Sequence, residues 1–283
     1  MTKKLKTVTT INGKFVKRGD DKISVFDNSL LYAEGLFETF LAVENEIVFL
    51  KEHLNRLYKG AKVMGLKIPV DKSTLQEWML KTVDKHPDRI KKLRLTLTSG
   101  EAARWVGVQG QQQVILSASP HTMPTKPFRL HVSEFRVDQN SVFRRIKTLS
   151  YAIHAVALSQ AKKMKCDDAL LLNEKNHVAE VTSANIFWLS QGKIYTPPID
   201  AGCLEGITRS LVFKISKKLK LPIIEKNCTL KTLLKADEIF ISSSLKLVIP
   251  VSEILFENKL HKLPRGKVSQ QIRSEFAKLL HLP

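Results

Sequence analysis

Cysteine is scarce in this 283-residue chain: Cys166, Cys203 and Cys228 are an odd number and widely separated. That excludes a disulfide framework, and no pair has the close spacing of a zinc site or a redox dithiol. All three read as reduced, buried, small apolar residues. Long hydrophobic runs are also missing, and none approaches the roughly 20 residues that a membrane-spanning helix needs. The basic start, Met1-Thr2-Lys3-Lys4-Leu5-Lys6, leads into no apolar signal core, so the expected location is cytoplasmic, with no membrane partner. Acidic residues are the third shortage: 27 Asp and Glu against 46 Lys and Arg leave a formal charge of +19. Such a balance invites nucleic acid, but the lysines are scattered, and no aromatic-interleaved basic motif or zinc-finger spacing accompanies them. The expectation is a lysine-rich surface whose field draws in small anionic substrates, with no specific nucleic-acid partner.

What is present suits a globular protein of one large domain or two ordinary ones, with 43% hydrophobic and 26% charged residues. The first half reads as mixed helix and strand. Val8–Ile11, the turn Asn12-Gly13 and Lys14–Val16 predict a hairpin. Leu36–Val43 and Ile47–Leu50 predict a second, across Glu44-Asn45-Glu46. Leu54, Leu57, Ala61 and Met64 recur at helical spacing, and Asp71–Val83 predicts another helix behind an Asp71 or Ser73 cap. Lys92–Thr98 and Gln113–Ala118 read as partner strands. Pro120, Pro124 and Pro127 then mark an extended connector, giving domains 1–120 and 128–283 with residues 121–127 between them. Beyond it the pattern predicts strands at 128–135, 168–172, 178–182, 186–189, 193–196 and 238–242. Helices are expected at 151–165 and 207–219, with a short one at 230–235.

Two residues carry reactive side chains in suggestive settings. Lys147 lies in Ile146-Lys147-Thr148-Leu149-Ser150-Tyr151, where a short extended stretch runs into a helix. The preceding Arg144-Arg145 would favour its neutral, nucleophilic amine. Glu180 shares a strand face with Val178 and Thr182, and pattern alone places a glutamate there at the surface. Further on, Gly206-Ile207-Thr208 opens a helix whose N–H groups and threonine hydroxyl can take an anion. Ile241-Ser242-Ser243-Ser244 ends a strand with three more hydroxyls. An amine, a carboxylate and a helix N-terminus are together what pyridoxal phosphate requires: a Schiff-base lysine, a partner for the pyridine nitrogen and a phosphate cradle. Each also has an ordinary structural reading, as a surface charge, an exposed strand carboxylate or a capped helix.

Several motifs follow one another in an order that resembles the class IV, fold-type IV, pyridoxal-phosphate enzymes. They are Gly35-Leu36-Phe37-Glu38-Thr39, Glu52-His53-Leu54-Asn55-Arg56-Leu57, Lys147–Tyr151, Asp168–Asn173, Val178–Phe187, Gly192–Pro197, Gly206–Arg209 and Ala236–Ser243. Together they span most of the chain, from about Gly13 to about Ile254. The resemblance implies an α+β fold with a small α/β N-terminal domain and a larger, β-barrel-like C-terminal domain with helices, and it implies a homodimer. It also implies that Lys147 is the Schiff-base and proton-transfer residue and that Glu180 pairs the pyridine nitrogen. Arg56, the backbone at Ile207 and Thr208, and Ser244 would then hold the phosphate, with Tyr151 at the cofactor's phenolic oxygen.

The same family includes branched-chain and D-amino acid aminotransferases and aminodeoxychorismate lyase. Thr39 resembles the lyases, and Arg94–Arg104 looks like a worn form of their glycine- and arginine-rich loop, with Arg104 available to a substrate carboxylate. The resemblance therefore favours the lyase, which releases pyruvate and 4-aminobenzoate, over a class IV transaminase. Glu101-Ala102-Ala103, Ser150 and Leu245-Lys246 depart from the family pattern. A basic binding protein without catalysis is the reading from another class.

Overall fold

The structure is a computed structural model that describes residues 7–102, 108–264 and 266–280. The chain divides into two compact units, Met1–Met123 with Ile146–Ser150, and Pro124–Arg145 with Tyr151–Pro283.

In the first unit, strands β1 (Val8–Ile11) and β2 (Lys14–Val16) form the expected hairpin, with both Asn12 and Gly13 at positive φ. Helix α1 (Asn28–Tyr32) follows an Asp27 cap that accepts from Ser29 N. Strands β3 (Gly35–Val43) and β4 (Glu46–Ile47), helices α2 (Leu50–Met64) and α3 (Lys72–Asp84), and strands β5 (Ile90–Thr98) and β6 (Val114–Pro120) complete it. The sheet order is β2-β1-β6-β5-β3-β4, antiparallel throughout. The strand expected over Ile47–Leu50 is cut short. Phe49 turns into the left-handed region, and α2 starts at Leu50, so that Leu54, Leu57 and Ala61 are buried on one helical stripe.

That stripe meets the alternating residues Leu36, Phe40 and Ala42 of β3 and Leu93, Leu95 and Leu97 of β5, all buried. Each such leucine contributes about 1.5–3 kcal/mol of transfer free energy. By the two-residue period of a strand, Glu38 lies on the same apolar face.

The second unit begins with β7 (Phe128–Val137) and continues through α4 (Ala152–Lys163), β8 (Asp168–Asn173), β9 (Val178–Val181), β10 (Asn185–Ser190) and β11 (Lys193–Thr196). Then come α5 (Ile207–Lys218), β12 (Ile223–Glu225), α6 (Leu230–Leu233), β13 (Glu238–Ser243), β14 (Leu247–Phe256), β15 (Lys259–Lys262) and α7 (Val268–Leu279). Its sheet runs β12-β11-β10-β13-β14-β7-β8-β9, with β15 added on β14. Parallel pairing of β7 with β8 needs a crossover, and α4 supplies it. The sheet curls, because a tight turn in which Val181 and Ala184 exchange backbone hydrogen bonds carries β9 straight into β10. Nothing in the sequence patterning anticipated β14, β15 or α7. The start of α7 is fixed by the buried Glu238 carboxylate, which accepts from Val268 N at 3.0 Å and Ser269 N at 2.9 Å.

All three cysteines are buried and outside any disulfide, and burial pushes the Cys203 and Cys228 thiols up to about 12. No helix of the described residues is long and apolar enough to cross a membrane.

Candidate active site

Lys147 is held by its main chain. Its carbonyl accepts from Phe37 N at 2.9 Å, and Leu149 N donates to Gly35 O at 2.9 Å, so 146–150 lies along β3 as a short added strand. Gly35 is required by this approach: a Cβ there would come within 2.6 Å of Leu149 and 2.7 Å of the Leu97 carbonyl. The Lys147 ammonium sits over the Phe37 ring, 4.4 Å from its centre, and the Arg94 guanidinium over the same ring at 4.0 Å. Arg94 also donates from Nε to Thr96 Oγ1 at 3.2 Å, and it pairs across the sheet with Thr39. Arg104 lies outside the described residues.

In the same unit Arg56 projects from α2 and is gripped by Glu38. Its Nε donates to Oε1 and its Nη2 to Oε2, each at 2.7 Å. The fully buried Glu38 also pairs with His53 Nδ1 at 2.8 Å. Burial alone would raise the Glu38 carboxyl. The Arg56 charge, with hydrogen bonds from Arg56 and His53, outweighs it and pulls the group down to about 2. His53 also lies below its ordinary value, but here burial is the cause, outweighing the attraction of Glu38. Arg56 is expected at the site from its motif, whereas its partners Glu38 and His53 carry no such expectation. Both were visible in the same two motifs, and Glu38 was further marked by alternating with apolar residues on a core face.

In the second unit Glu180 is 5% exposed, a correction to the surface position that its pattern suggested. Its Oε1 accepts from Arg144 Nη2 and faces His154 Nε2 at 3.3 Å, while Oε2 accepts from Leu204 N at 2.9 Å. Burial raises the carboxyl, yet the His154 hydrogen bond and the Arg144 charge prevail and hold it below the ordinary value. Arg144 is thus committed to Glu180 and is not an idle charge beside Lys147. Tyr151 stacks on His154 at 4.4 Å between ring centres, and its hydroxyl donates to the Thr182 carbonyl. At the start of α5 no side chain caps Gly206, and no acidic residue occupies the first turn. The N–H groups of Ile207 and Thr208 belong to that turn, where an α-helix leaves donors without intrahelical partners. A Cβ on Gly206 would sit 2.0 Å from Asn185 Oδ1, and Asn185 Nδ2 donates to Leu204 O at 2.8 Å, which secures the approach to the helix. Ser244 stands in the turn between β13 and β14.

These donors fit pyridoxal phosphate. A buried carboxylate held anionic, with three of its roughly four acceptor directions used, suits a protonated ring nitrogen. A helix N-terminus with no side-chain cap and no acidic residue in its first turn suits a phosphate.

Comparison with known proteins agrees. Residues 35–254 match the family model "Amino-transferase class IV", so the chain belongs to the class IV aminotransferases, which depend on pyridoxal phosphate. It is 33% identical to a Methanocaldococcus jannaschii protein provisionally named a branched-chain-amino-acid aminotransferase, over 94% of each chain. A Bacillus licheniformis D-alanine aminotransferase is 31% identical over 86% of this chain and 87% of its own. The Bacillus subtilis aminodeoxychorismate lyase is 27% identical over 86% and 85%. Among solved structures, the branched-chain aminotransferase of Thermoproteus uzoniensis with norvaline matches at a TM-score of 0.89 and 28% identity, covering 96% of this chain and 94% of that one. The T.th. branched-chain amino acid aminotransferase with pyridoxamine 5'-phosphate matches at 0.87 and 30%, covering 96% and 93%. The fold is the α+β, fold-type IV architecture that the resemblance implied.

Proposed function

We propose that this enzyme is an aminotransferase that takes the amino group from a small amino acid and passes it to a 2-oxo acid. The observation that carries the cofactor chemistry is the buried, anionic Glu180 with its three partners, and the choice of transamination rests on the names of the relatives. When bound, pyridoxal phosphate supplies an electron sink for the pair left behind as the substrate's α-proton departs. Glu180 would keep the ring nitrogen protonated, and Arg144 and His154 keep Glu180 charged and oriented. The Ile207 and Thr208 N–H groups, the Ser244 hydroxyl and Arg56 would hold the phosphate, and Tyr151, whose hydroxyl donates to the Thr182 carbonyl, would serve the ring's phenolic oxygen. Lys147 would be the covalent anchor, and its freed Nζ would take and return the substrate's α-proton. Arg94, which shares the Phe37 ring with Lys147, takes a substrate carboxylate.

This reverses the order in which the resemblance ranked the two reactions. The lyase preference drew on Thr39 and on Arg104, which lies outside the described residues, whereas Arg94 serves any carboxylate substrate. Relatives of 33% and 31% identity carry aminotransferase names. Aminodeoxychorismate lyase is the second reading, and Thr39 is what favours it.

Two assays separate them. Leucine and D-alanine are each offered with 2-oxoglutarate, and formation of the matching keto acid is followed. Separately, aminodeoxychorismate is supplied with no keto acid present. Keto-acid formation in the first assay with no pyruvate in the second is the expected result. Pyruvate release alone would establish the lyase.

We also propose a homodimer. Val25, Phe26 and Leu30 in the first unit and Val142 and Phe143 in the second are more than half exposed, apolar surface that a lone soluble chain rarely leaves open. Light scattering is expected to give twice the chain mass, and Phe143→Asp to shift the population toward one chain. A wild-type mass of a single chain across a wide concentration range would refute the dimer.

A further inference from the structure

We propose that Lys246 is a positioning residue, which ties the turn between β13 and β14, and with it Ser244, to the edge formed by β8 and the turn after β9. The inference rests on the reading that Ser244 holds the cofactor phosphate. It concerns the departure Leu245-Lys246, which the family resemblance leaves without a role.

The side chain of Lys246 spans between separate parts of the second unit. Its Nζ donates to Ser183 Oγ at 2.5 Å and lies 3.6 Å from Asp168 Oδ2. Asp168, the first residue of β8, is 1% exposed. It accepts from Ala169 N at 2.9 Å, from Ser183 Oγ at 2.5 Å and from the Thr182 hydroxyl. Ser183 therefore stands between the two charges, donating to the carboxylate and accepting from the ammonium. The Lys246 ammonium also lies 5.8 Å from the centre of the Phe128 ring, and its side chain is only 19% exposed.

The main chain of the same residue is held independently. Lys246 N donates to Ser243 O at 3.2 Å. Arg273 Nη1 reaches Lys246 O at 3.5 Å and Val248 O at 2.7 Å, while Arg273 Nη2 donates to Pro124 O at 2.9 Å. A turn secured on both sides of Ser244 presents its hydroxyl and N–H groups with little freedom left to lose when an anion arrives. Ordering a loose turn at the moment of binding would weaken affinity instead. An ordinary surface lysine does not account for this geometry. Holding a long side chain in one arrangement costs rotamer entropy, and only an opposing interaction repays it. Buried Asp168 is the group that needs a cation.

The test uses the full-length protein in cofactor-free and loaded forms, with K246M, D168N, the double variant K246M/D168N, and K246R. Hydrogen–deuterium exchange of amides 243–247 in the cofactor-free protein reads the latch directly. Titration with pyridoxal phosphate, followed by absorbance, reads its consequence. Lys246→Met is expected to speed exchange in the turn and to weaken cofactor binding about tenfold, the scale of one lost hydrogen bond to a charged group. Lys246→Arg restores most of both. Because K246M strands a buried carboxylate, the double variant removes both charges and is expected to bind cofactor no more weakly than K246M, a non-additive result. Unchanged exchange at 243–247 in K246M and in the double variant overturns the proposal. So does faster exchange with cofactor affinity unchanged. A wild-type protein that takes up no pyridoxal phosphate would overturn the cofactor assignment instead, while the exchange comparison still judges the latch.

Discussion

The Lys147→Ala protein is expected to purify without the visible absorbance that borohydride reduction shifts in the wild type, and to turn over at least about a thousandfold more slowly. The loss should be chemical and leave the fold intact. The hydrogen bonds that fasten this segment to β3 come from the Lys147 carbonyl and the Leu149 N–H, neither of which the substitution removes. Among the contacts that disappear is the ammonium over the Phe37 ring, worth about 0.5–1 kcal/mol where solvent reaches it. The melting temperature of the cofactor-free variant should therefore stay close to that of the cofactor-free wild type. A borohydride-sensitive band that survives in Lys147→Ala would move the anchor to another lysine.

Glu180→Gln is expected to lower kcat about a hundredfold or more, the scale of losing one preorganised charge at the reacting centre. The amide cannot hold a proton on the ring nitrogen as an anion does. It also leaves the Arg144 guanidinium beside a neutral group, and breaking a buried pair from one side costs about 3 kcal/mol or more. The pH dependence separates this from a general loss of packing. The folded carboxyl of Glu180 is held below its ordinary 4.5, so its contribution to stability is complete above that value. The contribution is lost as pH falls from 4.5 through the depressed folded value. Glu38 acts in the same sense in the first unit, over the range from 4.5 down to about 2. Urea midpoints should consequently fall more steeply in acid for wild type than for Glu180→Gln, with the two curves converging below the ordinary carboxylate range. Parallel curves through that range would show that Glu180 gains nothing from ionisation in the fold.

Where periodicity was strong, the sequence was legible. The Asn12-Gly13 hairpin, the helical stripe of Leu54, Leu57 and Ala61, and the partner strands β5 and β6 all form as local chemistry dictates. Phe49 shows the limit: a β-branched and aromatic run reads as strand until the helix that buries Leu54 claims its end. The site was legible by motif more than by pattern. Glu180 on a short strand is indistinguishable from a solvated glutamate until Arg144, 36 residues earlier, and His154, 26 earlier, are folded onto it. The same holds for Glu38 and His53, whose roles exist only once α2 lies on β3. The residues after β13 offered little signal because β14 carries Pro250 and an irregular register against β7.

Lys147 and Glu180 belong to different compact units, and the lysine's unit is discontinuous in sequence: residues 146–150 return to it from within the other. No single cut in the polypeptide separates the two units. A chimaera that grafts residues 1–123 onto a relative would import Arg56 and Glu38 but inherit the recipient's lysine, laid along a donor β3 that did not evolve with it. Recombination within this family should therefore succeed when the exchanged block runs past residue 150, and yield colourless protein when it stops at the proline connector.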